Sequence, residues 1–534
     1  MNVNGTRILT TSSIVVAALS AASTLAFQQP LHTSGADGAL DAQAESVMAR
    51  FDGHKVIRAW IESEEELELV HFLSDDIWND TYGIGGPLDF RITPEMYDIL
   101  VGSGLPFEVM IDDVQVLIDA ERADDGFENP AEDPFFNDYQ RLSDVVAYMN
   151  TLANLRPDLA EVVDIGDTVR GRDIFALRIT GPNFEPTRPG LLIHGGQHAR
   201  EWITVSANCY IADTLIRQYD TDPYIKDLVD TREWWIIPVM NPDGYEYTWT
   251  NYRLWRKNRR SSYGVDLNRN WGYHWGGPGS SDSTNRETYR GDAPFSEPET
   301  QAMRDLCLDH PNIVGHIDIH SYSQLILYPW GWTRYLPPYN DTFDAISSEM
   351  DQRIEALYGT IWRYGPVYTT IYPASGVSSD WTFGDRRIWG FAFELRDRGQ
   401  YGFVLPKSQL LPASKEAREG VFVLAEQELE PLMVLDVGWL ERGQPAEFKV
   451  TRATPGSDVY FFYSIRGDDE QTFWPDLNVT LDIESPLMAA TATADASGTA
   501  ILNRTMPNLR ALIVIWLQAA EYGRTTNVVL TQIN

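Results

Sequence analysis

Leu191-Leu-Ile-His-Gly-Gly-Gln-His-Ala-Arg-Glu-Trp202 is the stretch around which the rest of the chain is organised. The apolar run at 190–194 predicts a short buried strand, Gly195 and Gly196 permit a sharp turn, and an amphipathic stretch begins directly after. His198 and Glu201 stand three residues apart at this strand-to-helix corner, a spacing at which an imidazole and a carboxylate can face one metal ion. Together they would supply half of a zinc site. A lone His-x-x-Glu reads equally as a buried histidine beside a surface glutamate at a helix start. A third ligand and a base elsewhere in the chain would separate the two readings.

Working outward, Trp202, Val205, Cys209, Ala212, Ile216 and Tyr219 trace one helix face, and Leu142, Val145, Val146, Met149 and Leu152 trace another. Strand patterns fit 161–165, 174–180, 234–240, 313–320 and 389–395, and Ser296 with Glu299 predicts the capped start of a helix carrying Met303 and Leu306. Alternation of this kind over 135–431 predicts an α/β domain with a central mixed sheet flanked by helices. Ahead of it, 54–122 reads as a small αβ module. Strands are expected at 54–61, 88–92 and 106–111, and helices after Ser63 (Glu66 closing a capping box), after Thr93-Pro94-Glu95, and over 112–122. The segment 123–134 carries Asp, Glu, Gly and Pro without apolar periodicity and reads as an exposed linker open to proteolysis. From 432 to 534 the texture becomes alternating strands, as in Glu447-Phe-Lys-Val-Thr, Val459-Tyr-Phe-Phe-Tyr and Ala511-Leu-Ile-Val-Ile-Trp, which predicts an all-β sandwich.

At 534 residues and 43% hydrophobic, the chain can bury several full cores. A net charge of −35 and a pI near 4.5 argue against nucleic acid or an anionic membrane surface as partner, since both need clustered Lys and Arg. Arg7, the apolar run at 14–26 and the small-residue site Thr24-Leu25-Ala26 read as a secretory signal peptide over 1–26, so an exported protein is expected. Cys209 and Cys307 are the only cysteines; each lies in an apolar helical pattern and reads as a buried free thiol.

The third ligand candidate is His320, at the end of the strand Ile313-Val-Gly-His-Ile-Asp-Ile-His, where open α/β sheets build their sites. His316, at even spacing on the same strand, is the alternative. A metal with two imidazoles and one carboxylate keeps a position open for water and supports hydrolysis. Glu394, inside the apolar strand Trp389-Gly-Phe-Ala-Phe-Glu-Leu, suits the base such a reaction needs. It reads equally as half of an ion pair with Arg396 or Arg398. Arg253, Arg256, Lys257, Arg259 and Arg260 form a basic island in an acidic protein, with Asn268-Arg269-Asn270 beside it, and suggest an anionic substrate end. Tyr372 lies in a loop bearing Pro and Gly, as a closing residue would.

His198-Ala-Arg-Glu-Trp-Ile-Thr, Asn241-Pro-Asp-Gly-Tyr, Arg253-Leu-Trp-Arg-Lys, Gly264-Val-Asp-Leu-Asn-Arg-Asn-Trp, Ser296-Glu-Pro-Glu-Thr, His320-Ser-Tyr-Ser-Gln and Phe393-Glu-Leu-Arg-Asp together resemble the zinc metallocarboxypeptidases of the pancreatic A/B type, in order from about 138 to 429. The resemblance implies one Zn²⁺ per chain held by His198, Glu201 and His320, with Glu394 as general base and Arg256 stabilising the oxyanion. It implies that Asn268, Arg269 and Tyr372 hold the free terminal carboxylate, and that Arg200 and Tyr322 flank the substrate subsites. Ser379 falls at the specificity position, where an aliphatic residue accompanies apolar termini and an acid accompanies Lys or Arg. With Leu327, Val367 and Ala392 at pocket positions, an apolar or broad preference is expected. The disulfide loop of the animal enzymes is missing. Residues 54–121 resemble the family's activation segment, which implies a propeptide over 27–122 and a zymogen cut by an activating protease at 123–134. The implied substrates are peptides or proteins with a free C-terminal carboxylate, and the expected state is a secreted monomer. Two rivals remain at this point: a cell-wall peptide hydrolase sharing the metal but not the pocket, and a secreted binding protein with structural zinc.

Overall fold

The computed structural model describes residues 48–78, 84–123, 126–128, 133–185, 188–429, 431–468, 470–508 and 512–533. The expected signal peptide at 1–26, residues 27–47 of the expected propeptide and half of the 123–134 linker fall outside these residues.

Chain order begins with β1 (Lys55–Ile61), α1 (Glu64–Leu73), β2 (Asp76–Ile77), β3 (Gly86–Ile92), α2 (Pro94–Ser103), β4 (Phe107–Ile111) and α3 (Val114–Arg122). The four strands form one antiparallel sheet in the order β2-β3-β1-β4. The two-residue period of a strand divides its side chains between two environments. Ile57, Ala59 and Ile61 enter the module's own core with Val70, Phe90 and Leu100. Val56, Ile111 and Ile118 instead meet Leu254, Tyr322, Phe403 and Val404 of the large domain. Ser63 Oγ accepts the Glu66 N–H as expected, but the Glu66 carboxylate reaches back to the N–H of Glu62 rather than to that of the cap residue.

The large unit contains α4 (Leu142–Leu155), β5 (Ala160–Asp167), β6 (Asp173–Ile179), β7 (Gly190–His194), α5 (Trp202–Arg217), α6 (Pro223–Thr231), β8 (Glu233–Ile237), α7 (Pro242–Thr250), α8 (Pro298–Asp309), β9 (Ile313–Ser321), β10 (Leu325–Tyr328), α9 (Asn340–Tyr358), β11 (Arg363–Pro366), α10 (Val367–Thr370), α11 (Ser378–Gly384), β12 (Trp389–Leu395) and α12 (Leu410–Glu426). Its strands make one eight-stranded mixed sheet, β11-β10-β12-β9-β7-β8-β6-β5, whose centre β12-β9-β7-β8 is parallel. From β7 the chain steps to β8 on one side and returns to β9 on the other. The carboxyl ends of β7 and β9 therefore flank a switch point, where an open α/β sheet leaves a crevice for ligands.

β7, β8 and β9 are buried at every residue, as continuous apolar runs in a sheet covered on both faces require. Helix α5 departs from the expected single apolar face. It is buried on all sides from Trp202 to Ile216 because it lies between the sheet and neighbouring helices, with Trp202 stacked on Trp249 at 3.9 Å between ring centroids. The strand expected at 234–240 ends at Ile237, ahead of Pro238, and Met240 instead donates its N–H to the Gly195 carbonyl. Ser296 is not the cap of α8; Glu297 occupies that position, and Ser296 Oγ donates to the Glu297 carboxylate instead. Cys209 and Cys307 are both buried and free, as expected.

Beyond Pro431 two sheets face each other. One holds β13 (Val434–Val437), β14 (Pro445–Thr451) and β19 (Ala500–Thr505). The other holds β15 (Asp458–Ser464), β18 (Leu487–Thr493), β20 (Ile513–Glu521), β21 (Arg524–Thr525) and β22 (Val529–Ile533). Leu435, Phe448 and Val450 from the first meet Val459, Phe461 and Leu517 from the second. A separate hairpin, β16 (Thr472–Trp474) with β17 (Val479–Leu481), sits beside them.

Candidate active site

His198 and Glu201 leave the end of β7 on the turn made by Gly195 and Gly196, and Glu201 is the residue that precedes the first turn of α5. Gly196 adopts a φ of +60°, and a side chain there would press on Pro238 and Val239, so the turn needs glycine. His320 comes from the end of β9. Its Nδ1 lies 3.0 Å from His198 Nδ1 and 3.1 Å from Glu201 Oε2, and His198 Nδ1 lies 2.9 Å from Glu201 Oε1. One donor atom from each residue falls within 4.8 Å of the others, the only such group of three among the described residues.

These three residues fit a zinc ion. Tetrahedral zinc with ligands at about 2.0–2.1 Å would hold its donor atoms roughly 3.3 Å apart. The far nitrogens are both engaged by carboxylates: His198 Nε2 is 3.1 Å from Asp266 Oδ1, and His320 Nε2 is 2.9 Å from Asp318 Oδ2. A proton on each Nε2 leaves a lone pair on each Nδ1, and both lone pairs point into the same space. The field there also calls for positive charge. Burial opposes the charged form of His320, yet Asp318 and Glu201 raise it well above the ordinary histidine value. Burial likewise works against ionised Glu201, and His198 and His320 hold its carboxyl low.

His316 is not part of this group. Its Nε2 meets His194 Nε2 at 2.9 Å, the two rings stack, and burial with the neighbouring His194 pushes it down to about 3. His316, Asp318 and His320 occupy one face of β9, and His194 pairs with Asp318 across the β7–β9 ladder. Asp318 Oδ2 also accepts from Gln197 Nε2 at 2.7 Å and Ser378 Oγ at 2.5 Å. The resemblance assigned no role to Asp266, Asp318, His194 or Gln197. The two-residue rhythm of His316-Ile-Asp-Ile-His320 was the available signal for Asp318.

Glu394 sits on β12, paired in register with His320 on one side and Leu325 on the other. Arg396 is taken by Glu416 and Gln409, and Arg398 by the Ile361 carbonyl, so the alternative ion pairs find other partners. Glu394 lines a cavity of about 40 Å³ with Glu201, Arg256, Ser321, Tyr322, Tyr372 and, from the N-terminal module, Trp78. Arg256, buried, donates to Asp266 Oδ2 at 3.0 Å. Arg269, in the turn Leu267–Arg269, donates Nε to the Gly279 carbonyl at 2.8 Å and reaches Tyr372 Oη with Nη2 at 3.4 Å. Asn268 Nδ2 is 3.2 Å from His320 Nε2, and its Oδ1 accepts from Ser378 N.

The basic island does not exist as one patch. Arg253 is locked to Glu121, Lys257 donates to the Thr284 and Arg286 carbonyls, Arg259 stacks on Tyr247, and Arg260 pairs with Glu297 and Asp292. Only Arg256 of the five lines the cavity. Counting charges along the chain cannot reveal partners that arrive from elsewhere.

Arg200 is held by Asp76, its Nη1 lying 3.0 and 2.9 Å from the two carboxylate oxygens, while Phe403 lies under the guanidinium at 3.9 Å. Tyr322 donates to Asp89 at 3.3 Å. Ser379 is buried in the first turn of α11, two residues after Val377, which belongs to a cluster with Leu325, Leu327, Val367, Ala374 and Ala392. The adjacent Asp380 accepts the N–H groups of Gly331 and Trp332, and burial pushes its carboxyl up to about 7.

Two family models match the chain: Carboxypeptidase activation peptide over residues 57–121 and Zinc carboxypeptidase over residues 145–420. Carboxypeptidase A1 of Sus scrofa is 36% identical over 71% of this chain and 94% of its own length. Carboxypeptidase B of Bos taurus is 34% identical over 73% of this chain and 97% of its own. Among solved structures, carboxypeptidase A from Helicoverpa armigera superposes with a TM-score of 0.61 at 30% identity, covering 70% of this chain and 97% of its own. Thrombin activatable fibrinolysis inhibitor superposes with a TM-score of 0.65 at 27% identity, covering 70% and 98%. With both its catalytic and its activation regions matched, the chain belongs to the zinc carboxypeptidase family and is a zinc-dependent metallocarboxypeptidase made with an activation peptide.

Proposed function

We propose that the mature enzyme removes the last residue of peptides and proteins by hydrolysing the C-terminal peptide bond. The observation that carries this reading is the cluster of three metal-binding side chains, one of which, Glu201, lines a cavity together with Glu394, Arg256 and Tyr372. His198 and His320 through Nδ1 and Glu201 through its carboxylate hold the zinc. Zinc bound there polarises a carbonyl and acidifies water. Glu394 takes the proton from the attacking water and returns it to the leaving amine, and the Arg256 guanidinium pairs with the oxyanion. Asn268, Arg269 and Tyr372 bind the free carboxylate, which restricts cleavage to the chain end. Arg200 and Tyr322 contact residues further along the substrate.

The preference for the terminal residue is apolar or broad. Support comes from the aliphatic cluster that includes Val377 and from Asp380, which spends its carboxylate on two backbone N–H groups and is not offered to a basic side chain. The chain is read as a signal peptide at 1–26, a propeptide at 27–122, a linker at 123–134 cut by an activating protease, a catalytic domain at 135–431 and a β-domain at 432–534. Secretion rests on the first of these. No helix among the described residues is long and apolar enough to cross a membrane.

Three measurements test the reading on the activated enzyme. Chelation should abolish activity and Zn²⁺ should restore it. Glu394→Gln should retain its metal while turnover falls by about 10²–10⁴-fold. Peptides with an amidated C-terminus should be poor substrates. Equal cleavage of amidated and free peptides would overturn the carboxylate assignment.

A further inference from the structure

The zinc carboxypeptidase match ends at residue 420, and the carboxypeptidase A1 and B relatives are spanned almost entirely by under three quarters of this chain, so the β-sandwich has no assigned role. One of its loops reaches the catalytic domain behind the proposed carboxylate site. Asp468, just after β15, places Oδ2 3.1 Å from His274 Nε2, with the two side chains only 13% and 21% exposed. His274 has a φ of 47°, a left-handed conformation that a non-glycine residue holds only when its surroundings fix it. Its ring lies flat on Trp332, 3.5 Å between centroids and 4° between planes. One face of the imidazole is thus held by the catalytic domain and its edge by the β-domain.

The loop that begins here carries the consequence to the site. Pro278 O accepts the Ser375 N–H at 3.0 Å, and Gly279 O accepts Arg269 Nε at 2.8 Å. Gly279 sits so close to the Pro373 carbonyl that no side chain fits, so the loop cannot slide without moving the Pro373 and Ser375 segment next to Tyr372. We propose that the C-terminal β-domain braces the carboxylate-binding wall, with Asp468 and His274 as positioning residues that set the 274–279 loop and, through the Gly279 carbonyl, the Arg269 guanidinium. This rests on the reading of Arg269 as the carboxylate anchor.

The test uses the full chain after activation and compares a peptide with a free C-terminus against its amide. Asp468→Ala and His274→Phe, the latter keeping the ring on Trp332 but losing the contact with Asp468, should each raise KM for the free peptide about tenfold with kcat nearly unchanged. Both should lower the preference for free over amidated peptide by the same factor. Asp468→Asn, which still accepts from Nε2, should restore most of it. Arg269→Ala is run in parallel. If it lowers the preference while Asp468→Ala and His274→Phe do not, the brace is overturned and the anchor stands. If Arg269→Ala leaves the preference intact, the anchor falls and the brace with it. A loss of rate on both peptides alike, or variants rescued by no conservative change, would make the contact merely structural and overturn the proposal.

Discussion

Asp76 and Glu121 of the activation segment end on Arg200 and Arg253, with all four side chains at 7% exposure or less and the Glu121 pair closed by two bonds of 2.7 Å. The β-sandwich holds the same catalytic body differently. Arg387 donates to the Thr526 carbonyl, Arg452 to the Pro311 carbonyl, and the ion pair Arg386–Asp436 is half open to water, with Asp436 49% exposed. The segment therefore meets its host through charges that water or substrate can take over when it leaves. The sandwich meets it through a mixture of guanidinium-to-carbonyl bonds and more open charged contacts, including Arg386–Asp436 and Arg387–Asp482. Buried ion pairs contribute little net stability but are costly to break one-sidedly. That combination suits a contact that has to hold and then be removed whole. Trp78 completes the contrast, for it lines the cavity with Glu394 and packs on Phe403, whereas no residue of the sandwich lines that cavity.

The largest effect expected from this contrast is on latency. In Asp76→Ala/Glu121→Ala, two arginines lose buried partners at about 3–5 kcal/mol each, so the uncleaved chain should hydrolyse a short peptide at least 100-fold faster than the wild type. An uncleaved double variant as silent as the wild type would mean that Trp78 and the apolar contacts suffice alone. Next in size is Arg387→Ala, which should lower stability by about 1–3 kcal/mol in calorimetry and leave latency untouched.

The third prediction concerns pH and the hairpin side of the sandwich contact. Burial raises the Asp482 carboxyl above its ordinary value of 3.8, opposed by Arg387, which lies 3.8 Å away. A folded-state value above the unfolded one means that the native state holds the proton more firmly. Stability should therefore fall as pH rises from 3.8 through the raised value and level off above it. Asp482→Asn should flatten that slope. Smallest of all, Arg386→Ala should change stability by less than about 1 kcal/mol, and the remaining difference should vanish in high salt.

Much of the site was legible because its parts are local. His198 and Glu201 share one corner, Glu394 stands out as the only charge in its strand, and the α/β alternation placed β7, β9 and β12. What the chain hid was mostly non-local. Glu121 lies 132 residues from Arg253, so the basic island looked like a substrate patch when most of it was already engaged. Asp468 and His274 lie in different domains, and nothing in either local pattern names the other. Helix α5 shows a one-sided pattern in the sequence because a helix buried all round still has a periodic apolar face when its polar positions are Thr, Ser and Asn. The Ser296 cap failed because that hydroxyl is turned to Glu297 and Asn270 rather than to a free N–H of the helix.

The two buried, unpaired cysteines both belong to the catalytic body, and the chain has no others. No disulfide can therefore tether the activation segment, and one cut between α3 and α4 turns an internal contact into an encounter between two molecules. While the linker is whole, the segment faces the cleft at an effective concentration on the order of millimolar; after the cut it is present only at the concentration of the protein itself. Dilution then becomes part of the trigger. Nicked enzyme kept concentrated should stay partly silent, and the same sample should awaken when spread into a larger volume, with reducing agent making no difference to either state.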